Sequence, residues 1–207
     1  MDIVKHLRRR AVTWAAAGAA AVAAASALSL TAASAAPVTS ASTSGPFTFA
    51  LVPSPGIQSC LPHAHGVVTI IPGRQNDLMN VTITGMPRNA EFDLFVIQQP
   101  NKPFGVSWYQ TDVNANGAGV GFASVRGIFD RETFSVSPGG TTTFAPTHQF
   151  HLGLWFNDPQ LPFKLGCEPG QAAPVVTPFN GEQHAGIQVL NTAEFPDNAG
   201  PLSHVHR

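Results

Sequence analysis

Gln149–Phe156 reads QFHLGLWF, and its alternation decides the fold. On an extended chain Phe150, Leu152, Leu154 and Phe156 share one face, and His151, Gly153 and Trp155 share the other, because side chains two apart point the same way along a strand. The same period recurs upstream. In Met79–Thr84, Val81 and Ile83 face one way and Asn80, Thr82 and Thr84 the other. Phe47–Val52, His65–Ile71, Val120–Val125, Glu132–Val136 and Gly186–Leu190 read as further strands. Phe92–Gln98 is apolar on both faces and reads as a central strand, and Phe104–Gln110 sets Phe104, Val106 and Trp108 on one face.

The punctuation between these runs is turn chemistry: Pro72-Gly73, Gly85-Met86-Pro87-Arg88-Asn89 and Pro138-Gly139-Gly140. Five prolines interrupt every pattern from Asn157 to Asn180, which predicts a long irregular segment. The expected fold is all-β: a single antiparallel β-sandwich of about eight or nine strands. Residues 46–207 form one domain, whose tail from Asn191 is expected to be only partly ordered.

The N-terminus reads as a targeting segment. Lys5, Arg8, Arg9 and Arg10 precede an uncharged, Ala-rich stretch from Ala11 to Leu30, which ends in Ala33-Ser34-Ala35. A basic start, an apolar middle and a small-residue A-x-A site define a cleaved signal peptide over residues 1–35, with the cut before Ala36. The arginine pair leaves both the general and the twin-arginine export routes open. Residues 36–45, rich in Ser, Thr and Ala, form a flexible leader. The expected product is secreted, extracellular and without stable membrane insertion.

Removal of residues 1–35 leaves seven Lys+Arg and eleven Asp+Glu, a net charge of −4 with His neutral. A nucleic-acid partner, which requires a basic surface, is therefore not expected. Cys60 and Cys167 are the only two cysteines. In an exported chain two cysteines most simply pair. Closing a loop of roughly 100 residues is worth about 4–5 kcal/mol in the chain-entropy model. Both cysteines lie in Pro-flanked irregular stretches, so the bridge should tie loops together rather than cross the core.

Three segments, FDLFVIQQPNKPFGVSWYQ (92–110), QFHLGLWFND (149–158) and TPFNGEQHAGIQVL (177–190), resemble a family of exported actinobacterial proteins of uncharacterised function. The resemblance spans roughly residues 79–195. It implies export and a compact domain, and it carries no catalytic residue over to this chain.

Few residue patterns here carry chemistry. His63-Ala64-His65 puts two imidazoles on one side of an extended chain, the start of a zinc or copper site that lacks an identified third ligand. His148, His151 and His184 are the available partners, and His204-Val205-His206 is a weaker pair in the tail. Asp112-Val113-Asn114-Ala115-Asn116-Gly117 matches the first half of a calcium loop, but Ala123 stands where the bidentate Glu belongs, so a hairpin turn is the better reading. Glu91/Asp93 and Asp130/Glu132 are same-side acid pairs, suited to a solvated edge more than to glycoside hydrolysis. Trp155 beside His151 is core if a second layer covers it; if that face is open, the two form a stacking platform for a sugar ring or apolar ligand.

Gly-x-Ser-x-Gly, phosphate-loop and HExxH patterns are absent from the sequence. The expected function is a non-catalytic extracellular binding or structural domain without a cofactor. Cell-wall glycan, a matrix polymer or another protein is the expected partner. Metal binding by His63 and His65 is the alternative.

Overall fold

The computed structural model describes residues 45–129, 135–137, 140–142, 150–178 and 184–205. The signal peptide and nearly all of the leader expected at 36–45 lie outside the described residues, as do Asp130, Glu132, His148 and His206. The strands are β1 (Phe47–Pro53), β2 (His65–Ile71), β3 (Asp77–Thr84), β4 (Glu91–Ile97) and β5 (Ser107–Asn114). They continue with β6 (Gly121–Gly127), β7 (Ser135–Ser137), β8 (Gly140–Thr142), β9 (His151–Phe156) and β10 (Gln188–Asn191).

Eight of these strands form one antiparallel sheet in the order β5-β4-β9-β10-β1-β2-β3-β6, and β7 and β8 pair separately. β1 joins the two halves. Phe47–Leu51 pair with β2, and then Val52 and Pro53 pair with Asn191 and Leu190 of β10. The terminal strands β5 and β6 are consecutive in the chain and meet at an Ala115–Gly121 bridge, so the sheet nearly closes into a barrel. The chain is all-β as expected, and its main strands form one continuous, nearly closed sheet.

Alternation builds the core. Leu51, Val68, Ile70, Val81 and Ile83 point inward from one half, and Phe92, Leu94, Leu152, Leu154 and Phe156 from the other. Each fully buried side chain of this size contributes roughly 1.5–3 kcal/mol of transfer free energy. Phe92 and Phe156 are paired across β4 and β9, their ring centroids 5.2 Å apart.

Three elements differ from expectation. The strand expected at Phe104–Gln110 begins at Ser107 and runs to Asn114. Ahead of it, Gln98 and Gln99 hold the 98–106 loop through Gln98 N–H to Val106 O (3.1 Å) and Gln99 N–H to Phe104 O (3.0 Å). That loop carries Phe104 onto the outer face, against Trp155, while Trp108 packs on the main core. The Pro-rich segment also contains a short helix, α1 (Gln160–Lys164), started by Asp158 Oδ1 accepting the Gln160 N–H at 2.8 Å. Finally, the tail expected to be partly ordered is docked. Leu202 and Val205 are buried in the main core, and Leu202 N–H donates to Phe150 O at 3.3 Å. The apolar residues Phe195, Leu202 and Val205 supply the anchors.

Cys60, at the end of a 3-10 turn (Ile57–Ser59), is bonded to Cys167, which follows α1. The bridge joins two loops across 107 residues of sequence, as the sequence reading has it. Among the described residues no helix is long and apolar enough to cross a membrane.

Candidate functional site

The two halves of the sheet present unlike outer surfaces. On the β5-β4-β9-β10 half the outer face is overlain. Trp155, only 1% exposed, sits between Phe104 (centroids 5.0 Å) and Phe95 (5.5 Å). Beneath the loop, Gln188 Nε2 and Asn191 Nδ2 both donate to Pro100 O at 3.1 Å, and Ser54 Oγ donates to Gln188 Oε1 at 2.8 Å. These bonds satisfy polar groups that burial would otherwise leave costly.

The tail closes the other side. His151 is 0% exposed, with Nδ1 2.9 Å from Thr192 Oγ1 and Nε2 3.2 Å from the Asp197 carbonyl. Both contacts fit a neutral ring with Nε2 donating to the carbonyl. Burial pushes the His151 pKa below its ordinary value, and backbone carbonyls, Asp197 foremost, pull the other way. The stacking platform considered for His151 and Trp155 is therefore corrected: a second layer covers both, and they are core.

Where this covering layer ends, an acidic and aromatic corner begins. Asp93 on β4 stands opposite Asp112 on β5 and opposite Trp155 on β9. Asp93 Oδ1 accepts from Asn157 Nδ2 at 3.0 Å, and Asp112 Oδ1 accepts from the Tyr109 hydroxyl at 2.8 Å. Asp93 is 7% exposed, and burial raises its pKa; Asn157 opposes this, while Asp112 and Glu91 add to it. The Tyr109 phenol is pushed up to about 12, first by partial burial and then by Asp112. Its ring, 54% exposed, meets Phe95 edge-on at 5.7 Å. Glu91 and Asp93 thus do share a side, but the closer partner of Asp93 is on the next strand. That pairing follows from the β4–β5 register, which runs unbroken from Glu91–Asn114 to Leu94–Thr111 and shifts only beyond it, before Phe95–Tyr109.

The β1-β2-β3-β6 half has an open outer face. Cross-strand register sets its outward residues in rows: Ala50, Val67, Thr82 and Phe122 in one, Thr48, Thr69, Asn80 and Ser124 in the next, then Ile71, Leu78 and Arg126. Phe122 is 63% exposed, and Val67 and Ile71 are also exposed. The hydroxyl row is internally bonded, Thr48 Oγ1 to Thr69 Oγ1 at 3.0 Å and Ser124 Oγ to Asn80 Oδ1 at 2.8 Å. The alternation in His65–Ile71 and Met79–Thr84 exposed this face to sequence reading, but Phe122 was the signal missed.

His63 and His65 are both exposed at one end of this face, with Ala64 buried between them. Gly85, at φ 69°, holds the β3–β4 turn against them: any Cβ there would collide with the His63 carbonyl. Among the described residues, no group of three His, Cys, Asp or Glu side chains is placed to hold a metal ion. His184 is exposed and His151 is engaged as above. His204 meets Phe47 edge-on at 6.0 Å.

The half-calcium pattern is a hairpin turn. Asn116 Oδ1 accepts the N–H groups of Ala118 (2.8 Å) and Val120 (3.2 Å), and Asn116 N–H donates to Val120 O at 2.9 Å. Comparison with family models, with curated proteins and with solved structures finds no match.

Proposed function

We propose that this is a secreted, non-catalytic extracellular domain that binds its ligand through the open face of β1, β2, β3 and β6. The contrast between the two halves carries the reading. One outer face is overlain by a loop and the tail over β9 and β10, with Tyr109 exposed at its β5 edge, whereas the other presents Phe122, Val67 and Ile71 to solvent. Exposed apolar side chains grouped on one surface, rather than scattered singly, mark interaction sites. The basic, apolar leader ending in Ala33-Ser34-Ala35, the Cys60–Cys167 disulfide and the resemblance to exported actinobacterial proteins support an extracellular location.

The partner is a wall glycan, a matrix polymer or a protein outside the cell. Metal binding by His63 and His65 is the alternative. Two imidazoles alone leave most of a coordination shell to water, so this pair would bind zinc or copper weakly.

The test is co-sedimentation of the full chain, taken from culture medium, with insoluble wall material from its host. The wild-type chain should pellet with the wall, and Phe122→Ser should remain in the supernatant with its fold intact. Equal pelleting of both would remove the open face as the binding surface. N-terminal sequencing of the same sample should begin at Ala36.

A further inference from the structure

We infer that the open face takes an acidic polysaccharide, a chain of pyranose rings bearing carboxylates. The inference rests on the binding reading above and adds the ligand's chemistry.

Charge is the first argument. Strands β1, β2, β3 and β6 hold a single carboxylate, Asp77, and it is buried. Its oxygens face inward to the backbone, accepting from Gly73 N–H (3.1 Å) and Phe129 N–H (3.4 Å). The outward residues include Arg126, and the exposed Arg74 lies in the adjoining β2–β3 turn. At the opposite end stand His65 and, in the β3–β4 turn, Arg88. The exposed acids among the described residues, Glu91, Asp112, Asp158, Glu194 and Asp197, belong instead to β4 and β5, to the segment after β9 and to the tail after β10. Among the described residues, this sheet face is free of outward carboxylates and bordered by guanidinium groups, which pair bidentately with carboxylates.

The second argument is the texture of the face. A hydroxyl and amide row (Thr48, Thr69, Asn80, Ser124) lies between two rows that carry apolar groups. β6 alone presents Phe122, Ser124 and Arg126 on one side, about 7 Å apart at each step. A sugar ring has an apolar face and a hydroxyl rim. It can stack on Phe122 while its rim meets Ser124 and a neighbouring carboxylate reaches Arg126. A glycerol-phosphate chain has no ring to offer Phe122.

The third argument is size. Four strands of about seven residues cover roughly 19 by 23 Å, or about 440 Å² of plane. A stable protein partner buries about 800 Å² per side. A patch this small suits one extended chain better than a second globular surface.

Isothermal titration of the full chain with polygalacturonate, with its neutral methyl ester and with a single-stranded oligonucleotide tests the inference. Polygalacturonate should bind and weaken as salt is added, with the ester and the oligonucleotide at least tenfold weaker. Arg126→Ala should cost about tenfold, a loss of roughly 1.4 kcal/mol, and Arg126→Lys less. Phe122→Ala should weaken binding as well, and both sites are exposed, so neither change should disturb folding. Equal binding of the methyl ester that Phe122→Ala abolishes would overturn the acidic ligand while sparing the open face. Polygalacturonate binding unchanged in both variants would overturn the face itself. No binding of polygalacturonate, or tighter binding of the oligonucleotide, would overturn the inference.

Discussion

Asp93 and Asp112 face each other across β4 and β5, each carboxyl held by a different neutral donor, Asn157 Nδ2 and the Tyr109 hydroxyl. Burial first, and then the neighbouring acid Asp112, raises the Asp93 pKa, while Asn157 opposes the shift. The sign follows from linkage. A folded-state pKa above the unfolded 3.8 means that the folded protein holds the proton more tightly. The stabilisation is then full below the unfolded value and is lost as pH rises through the folded one. At neutral pH the pair is a liability. Asp93→Asn keeps an acceptor for Asn157 and gains a donor for Asp112. It should raise the unfolding midpoint at pH 7 by a few degrees and lose that advantage near pH 3, as thermal melts across pH will show.

The Cys60–Cys167 bridge spans 107 residues and should account for about 2–5 kcal/mol of stability. Urea titrations with and without reductant, under conditions where the fold survives reduction, will measure it. Neither thiol should react with an alkylating reagent in the native oxidised protein. Equal urea midpoints in the two titrations would contradict a stabilising bridge.

The strands were legible because their period-2 patterns are strong: His65–Ile71 appears with the bounds read from sequence, and Phe150, Leu152, Leu154 and Phe156 all face the core. Long-range geometry was not legible. The burial of His151 and Trp155 depends on Phe104 and on the carbonyls of Pro100 and Asp197, none of which is adjacent in sequence. The tail looked loose because Leu202 and Val205 are isolated apolar residues among turn formers, and only the groove beside Phe150 makes them anchors. Likewise, the open face needs the register of β2, β3 and β6 before Phe122 and Val67 fall into one row.

His151 ties that tail to β9, and its chemistry makes the tie sensitive to acid. Burial holds its folded-state pKa below the unfolded 6.5. The neutral ring is therefore favoured in the folded state. Its contribution is complete above pH 6.5 and is lost as pH falls through the folded value. The Asp197 charge opposes the shift, after the backbone carbonyls of Asp197 and Pro196. Hydrogen-exchange protection at Thr192–Val205, taken relative to the intrinsic exchange rate at each pH, should fall as pH drops below 6.5 while protection in β2 and β3 holds. In His151→Gln the step should vanish. A uniform loss of protection across all strands would place the acid sensitivity elsewhere.

Gly153 sits on β9 between His151 and Trp155, opposite Phe95 of β4 and Asn191 of β10. A Cβ built on it overlaps Trp155 Cζ3, and it falls 2.7 Å from both Trp155 Cη2 and Gln188 Nε2. The indole cannot simply swing away, since Phe95 and Phe104 pack edge-on against it. Gln188 is fixed by Ser54 and Pro100. Gly153→Ala is therefore an overpacking change in a filled space, expected to cost about 1–3 kcal/mol. Two mechanisms make different predictions for a second variant. If the clash with the indole dominates, Trp155→Phe should destabilise alone by opening a gap, yet Gly153→Ala/Trp155→Phe should be more stable than the sum of the singles requires. If the alanine acts only on strand backbone, the two costs should add within about 0.5 kcal/mol. Urea unfolding of the four proteins closes the cycle, and a coupling of at least 1 kcal/mol in the compensating direction is the expected result.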